Sequence, residues 1–166
     1  FCTHPARIPQ ALLHYERDIC AEDAFSATGK RAFLMSHVLD MTGAPIVLVS
    51  AVPVLRSMGY EVVVLGPSDG GALQLFVDAG AAVITRPGIR ATPNLWGLAL
   101  CTDLVLVNTV VMARTVRALS GTAVPVLWWL HDAFAGYPHI AHQIPTKLAE
   151  NVRLYSVCLL YTSEPT

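Results

Sequence analysis

The sequence predicts an α/β domain in which a parallel sheet is covered by helices on both faces. Three observations predict it. Short runs rich in Val, Leu and Ile recur along the chain. Between them stand segments with apolar residues at i, i+3 and i+4, the spacing of one helix face. Glycines close several of those segments, as they do at helix ends. Strands alternating with helices at this spacing imply parallel pairing through right-handed crossovers.

The elements follow in order from Lys30. Arg31 to Ser36 is an apolar run after a basic start and forms strand one. His37 to Gly43 is a loop. Thr42 can cap the next helix, and Pro45 suits its first turn, where a missing N–H costs nothing. That helix is expected to run to about Met58 and stop at Gly59. Pro53 lies inside it. An interior proline costs about 3 kcal/mol, so a kink or a split is expected there.

Glu61 to Leu65, with three consecutive valines, forms strand two. Pro67 to Gly71 is a turn, and Ala72 to Ala79 a short helix with Leu73, Phe76 and Val77 on one face. Gly80 ends it. Ala82 to Thr85 forms strand three, Arg86 to Thr92 a loop, and Asn94 to Leu100 a short helix. Asp103 to Val107 forms strand four. Asn108 or Thr109 can cap the following helix, which turns Met112, Val116 and Leu119 inward, Arg114 and Arg117 outward, and closes at Gly121. Val124 to Leu130 forms strand five, with Trp128 and Trp129 on opposite faces. Val152 to Val157 begins another strand. Together these elements make a Rossmann-like parallel sheet flanked by helices.

The ends of the chain read differently. Phe1 to Gly29 is a poorly patterned lead-in, with a short helix expected over Pro9 to Cys20 and a linker over Asp23 to Gly29. The start at Phe1 rather than Met reads as a truncation. Cys158 to Ser163 is what TGT CTC TTA TAC ACA TCT encodes, a DNA stretch that resembles a transposase sequencing adaptor. Residues 158–166 therefore read as translated adaptor, the alternative being a real strand end followed by a polar tail, and residues 30–157 as the domain itself.

Composition narrows the function. The 166 residues are 54% hydrophobic and only 14% charged, with a formal charge of −1. Buried parallel strands are apolar on both faces and raise hydropathy in this way. A surface left bare by a missing partner domain does the same. No basic patch points to nucleic acid. The longest apolar run, Ala44 to Leu55, is too short to span a bilayer. Cys2, Cys20, Cys101 and Cys158 are scattered, which fits reduced cytosolic thiols better than disulfides or zinc.

Ligands of open parallel sheets bind beyond the carboxyl ends of the strands. That rule selects His37 to Ala44, Asn108 with Thr109, and His131 with Asp132. The loop before Pro45 leads into a helix N-terminus, which favours a phosphate, and Gly43 lets a ligand approach the backbone. The bland alternative is a plain turn, with Gly43 present for backbone freedom. His131 can donate a hydrogen bond to a sugar or phosphate, or exchange a proton; alternatively it only packs. Asn108 can bind acceptor hydroxyls or cap a helix. The tryptophans read as core, with a sugar platform as the alternative for one of them. His139 and His142 lack a third metal ligand and read as surface residues. Neither the G-x-G-x-x-G dinucleotide fingerprint nor the P-loop motif occurs.

Taken together, Phe33-Leu34-Met35-Ser36-His37, Thr42-Gly43-Ala44-Pro45 and Gly59 to Leu65 resemble the start of family 4 glycosyltransferases of the GT-B fold. Trp128-Trp129-Leu130-His131-Asp132 resembles the W-W-[IL]-H-E segment of a bacterial polysaccharide-type subset, and Leu148 to Val152 resembles the entry to its next strand. The resemblance implies the acceptor-side N-terminal half of a two-domain enzyme, with the C-terminal Rossmann-like domain and its E-x7-E element absent. It implies a nucleotide-diphosphate sugar as donor, a sugar or lipid-linked acceptor, no obligatory metal or bound cofactor, and a cytoplasmic location that extends to the inner membrane face. Thr42, Gly43 and Ala44 would lie at the donor diphosphate, His131 at the transferred sugar, and His37, Asn108 and Asp132 toward the acceptor. Asp132 departs from the usual Glu, and Pro53 interrupts a helix that is usually unbroken. Two other readings stay open: a different Rossmann-type enzyme such as a dehydrogenase or epimerase, and a non-enzymatic α/β interaction module.

Overall fold

The computed structural model describes residues 29–87, 99, 102–131 and 138–156. The expected helix over Pro9 to Cys20, the linker up to residue 28, most of Asn94 to Leu100, and the tail 158–166 lie outside the described residues. So does Asp132.

Six strands form one sheet in the order β3-β2-β1-β4-β5-β6, and every pairing is parallel. They are β1 (Lys30–Met35), β2 (Tyr60–Gly66), β3 (Ala82–Thr85), β4 (Leu104–Asn108), β5 (Val126–Leu130) and β6 (Val152–Ser156). Three α-helices are described: α1 (Gly43–Ser57), α2 (Leu73–Asp78) and α3 (Ala113–Leu119). The chain builds outward from β1 to β3 on one side and from β4 to β6 on the other. The order therefore reverses between β1 and β4, and a crevice opens at such a reversal, beyond the strand carboxyl ends.

Alternation along the strands splits the interior into two layers. Phe33, Met35, Val63, Leu65, Val105, Val107, Val126 and Trp128 pack on one face, beneath α3 residues Val116 and Leu119. Ala32, Leu34, Val62, Val64 and Leu106 pack on the other, against Leu48, Val52 and Leu55 of α1 and Phe76 of α2. Full burial of a side chain such as Phe76 stabilises by roughly 1.5–3 kcal/mol. Over β4, β5 and β6 the second face carries an open apolar hollow of about 380 Å³, lined by Leu106, Leu127, Trp129, Tyr155 and Ser156.

Several local expectations need correction. Pro53 does not split α1, which runs unbroken over 15 residues. Pro53 is exposed, so the carbonyl deprived of its partner can be hydrated rather than buried. Thr42 occupies the N-cap position of α1 with extended backbone, but its side chain makes no capping hydrogen bond; its carbonyl accepts from the Ile46 N–H at 3.2 Å. Neither Asn108 nor Thr109 caps a helix, because both side chains are engaged elsewhere. The segment after β4 opens instead with a 3-10 turn, Val110–Met112, before α3 begins. The inward and outward faces of that segment are as expected: Met112, Val116 and Leu119 are buried, and Arg114 and Arg117 exposed. Gly59, Gly80 and Gly121 follow the three helices at φ +85°, +91° and +78°, the left-handed closing position.

Two polar ties fix strand register. The Arg31 N–H donates to Asp103 Oδ2 at 2.8 Å, and the Asp103 N–H returns a bond to the Arg31 carbonyl at 3.0 Å. Asn151, just before β6, donates to the carbonyls of Leu119 and Val124 at 3.0 and 2.8 Å and accepts from the Gly121 N–H at 2.8 Å. It joins the end of α3 and the lead into β5 to the start of β6.

Candidate functional site

The strands β1, β4 and β5 are neighbours and parallel, so their carboxyl ends share one edge of the sheet. β1 delivers Ser36 and His37 to that edge, β4 delivers Asn108 and Thr109, and β5 delivers His131. Their register is tight. Asn108 lies beside Trp129, and the Thr109 N–H donates to the Trp129 carbonyl at 2.8 Å.

Thr109 is the hinge of the arrangement. Its backbone stands at φ 71°, ψ 161°, a region nearly reserved for glycine. A β-branched residue there costs on the order of 1–3 kcal/mol and needs its surroundings to hold it. Three bonds do so. Beside the bond to Trp129, the Trp128 indole N–H donates to the Thr109 carbonyl at 2.8 Å. The Thr109 hydroxyl lies 3.2 Å from His37 Nδ1. Trp128 is 2% exposed and its one donor is used, which makes it a core residue that also sets the tip of β4. Trp129 is only half-buried, and its ring lies 4.8 Å from that of His131 at a 45° tilt.

Asn108 is fully buried, and its amide donates to the Ala44 carbonyl in the first turn of α1 at 2.9 Å. Its Oδ1 has no hydrogen-bond partner among the described residues. A buried acceptor left in this state costs about 1–3 kcal/mol. The same tie holds the N-terminus of α1 beside the tip of β4. That N-terminus has no acidic residue in its first turn and no side-chain cap, so its leading N–H groups have no partner within the helix. Gly43 is exposed, has ordinary negative φ, and a Cβ built on it meets nothing within 4 Å. Backbone freedom and close packing therefore do not account for a glycine at this position.

The loop between β1 and α1 is seated on the turn after β2. The Ala72 N–H donates to the Leu39 carbonyl at 2.8 Å. A side chain at Gly70 would overlap that carbonyl, and one at Gly66 would come within 2.5 Å of Leu39 Cγ. Ser36 closes the loop's other end, donating through Oγ to the Val38 carbonyl at 2.6 Å.

A family model for Glycosyl-transferase family 4 matches residues 28–158. The chain belongs to that family. No match to a curated protein or to a solved structure was found.

The glycosyltransferase domain thus brings His37, Thr42, Gly43, Ala44, Asn108 and His131 to one edge of one sheet. Asp132 falls outside the described residues. Among the described residues, no cluster of His, Cys, Asp or Glu could hold a metal ion. His142 is exposed in the 3-10 segment Pro138–Gln143, as expected of a surface residue. No described helix is long and apolar enough to cross a membrane.

Sequence reasoning missed Thr109 as the organiser, Trp129 as the neighbour of His131, and the glycine seat under Leu39. For Thr109 the signal was its position directly beyond a strand end. For the seat, it was the Gly70-Gly71 pair, read only as a turn.

Proposed function

We propose that this domain forms the acceptor-side wall of the cleft in an enzyme that moves a sugar from a nucleotide-diphosphate donor to an acceptor hydroxyl. The uncapped N-terminus of α1, held at the strand reversal by Asn108, carries this reading. Unpartnered N–H groups at Gly43 and Ala44 suit the leaving diphosphate, whose growing charge is what such a transfer must stabilise. His131 would then donate to the transferred sugar, while His37 would meet hydroxyls of a sugar or lipid-linked acceptor; Asn108, fully buried, would act by holding the α1 N-terminus in place rather than by touching the acceptor. Asp132 completes the acceptor side in this reading. A second Rossmann-like domain would hold the nucleotide, as in the two-domain enzymes the sequence resembles, in polysaccharide or glycoconjugate synthesis. The dehydrogenase reading has no glycine fingerprint to support it.

Titration of the chain with inorganic pyrophosphate, followed by amide-resolved NMR, tests the proposal. Saturable shifts are expected at Thr42, Gly43 and Ala44, with a dissociation constant about millimolar, equal to roughly 4 kcal/mol. Shifts confined to other parts of the sheet would remove the diphosphate from this loop.

A further inference from the structure

Away from the strand tips, the outer side of α3 faces the 3-10 segment Pro138–Gln143 across an open recess of about 520 Å³. Arg114, Arg117 and Ala118 form one wall, and His142 and Gln143 the other. We propose that this recess binds a phosphate-type dianion, a group distinct from the donor diphosphate and independent of the reading above.

The arginines carry the argument. Six arginines lie among the described residues, at positions 31, 56, 86, 114, 117 and 153. Arg31 pairs with Glu61, Arg56 and Arg153 donate to the carbonyls of Gly80 and Glu150, and Arg86 is also partnered. The side chains of Arg114 and Arg117 make no hydrogen bond or ion pair among the described residues, although both stand on one helix. They are three residues apart, so their Cβ atoms lie about 5–6 Å from each other on one side of α3. Two neighbouring guanidinium groups without a counter-charge repel one another. Among the described residues, no carboxylate lines the recess to relieve this.

The chemistry selects the ligand. One guanidinium satisfies a carboxylate through two parallel N–H bonds. Two guanidinium groups, with the His142 ring and the Gln143 amide opposite, offer more donors than a carboxylate can accept. A tetrahedral phosphomonoester, with three terminal oxygens and nearly two charges, matches that set. The group can belong to a soluble phosphorylated molecule or to a lipid headgroup.

Inorganic phosphate, titrated at constant ionic strength set with chloride, is the first probe. The Arg114 and Arg117 Nε–H signals and the Gln143 side-chain amide should shift saturably. In the double variant Arg114→Gln/Arg117→Gln the affinity should fall by ten-fold or more, with an unchanged melting temperature because both side chains are exposed. Vesicles of phosphatidylcholine containing phosphatidic acid are the second probe. Co-sedimentation that the double variant loses would assign the phosphate to a lipid headgroup. Phosphate binding without co-sedimentation would assign it to a soluble molecule. Absence of saturable shifts at these side chains, or equal affinity in the double variant, would overturn the proposal.

Discussion

The side-chain amide of Asn108 donates to the Ala44 carbonyl at 2.9 Å, across 64 residues of chain. That bond links the end of a central strand to the first turn of the longest described helix at the point where the strand order reverses. Replacing Asn108 with Asp removes the donor and sets a carboxylate against a carbonyl in a buried place. Asn108→Asp should destabilise the domain by about 2–4 kcal/mol, more than Asn108→Ala, since a buried charge without a partner is the costlier defect. Urea unfolding of both variants measures the difference, and an Asp variant as stable as wild type would contradict the described tie.

Gly43→Ala separates ligand approach from folding. Open space surrounds the new Cβ, and the backbone is already helical, so stability should stay within about 0.5 kcal/mol of wild type. In an active transferase containing this domain, sugar transfer should drop by ten-fold or more, about 1.4 kcal/mol in the barrier. Unchanged transfer rates would take the diphosphate away from this helix end.

Thr109 offers a test of strain. Thr109→Gly relieves the unfavourable φ and loses one hydroxyl contact to His37, so stability should hold or rise by up to about 1 kcal/mol. Thr109→Val keeps the strain and loses the contact, and should be less stable than Thr109→Gly by roughly 1–2 kcal/mol. Thermal melts of the pair decide it; the reverse ranking would mean that the left-handed backbone at residue 109 is wrong.

His131→Ala, in a transferase that contains this domain, should lower turnover by ten-fold or more (about 1.4 kcal/mol) while leaving the fold intact. Near-wild-type rates would leave His131 a packing residue beside Trp129.

Asn151→Ala should cost about 1–3 kcal/mol, because it removes the bonds to the Leu119 and Val124 carbonyls and the Gly121 N–H together, the Leu119 carbonyl keeping its bonds from Thr122. Unfolding by denaturant, with an unchanged slope, would report it; a cost under about 0.5 kcal/mol would show that solvent replaces all three bonds.

The strands were legible in the sequence because a sheet buried on both faces demands continuous apolar runs. The Val62-Val63-Val64-Leu65 run lies within β2, and Ala82 to Thr85 is β3 to the residue. Strand five begins two residues later than its apolar run implies. The Val124 carbonyl is taken by Asn151, and Pro125 has no N–H to give. Which end of the sheet carries the candidate site followed from topology. What the sequence could not disclose was long-range pairing. Asn108 and Thr109 look like helix caps locally, and only the fold brings Ala44 and His37 within their reach. Likewise Pro53 reads as a break until its face of the helix is known to meet water.

The bond from the Trp128 indole to the Thr109 carbonyl gives the domain an optical reporter of its own. The emission of a buried indole responds to whatever polarises its N–H, and here that group ends on the backbone of the residue that shapes the strand tip. Occupation of the tip should therefore be readable in the fluorescence of Trp128 without any label, and replacing both Trp96 and Trp129 with Phe would clear the other two indole signals while leaving the reporter in place.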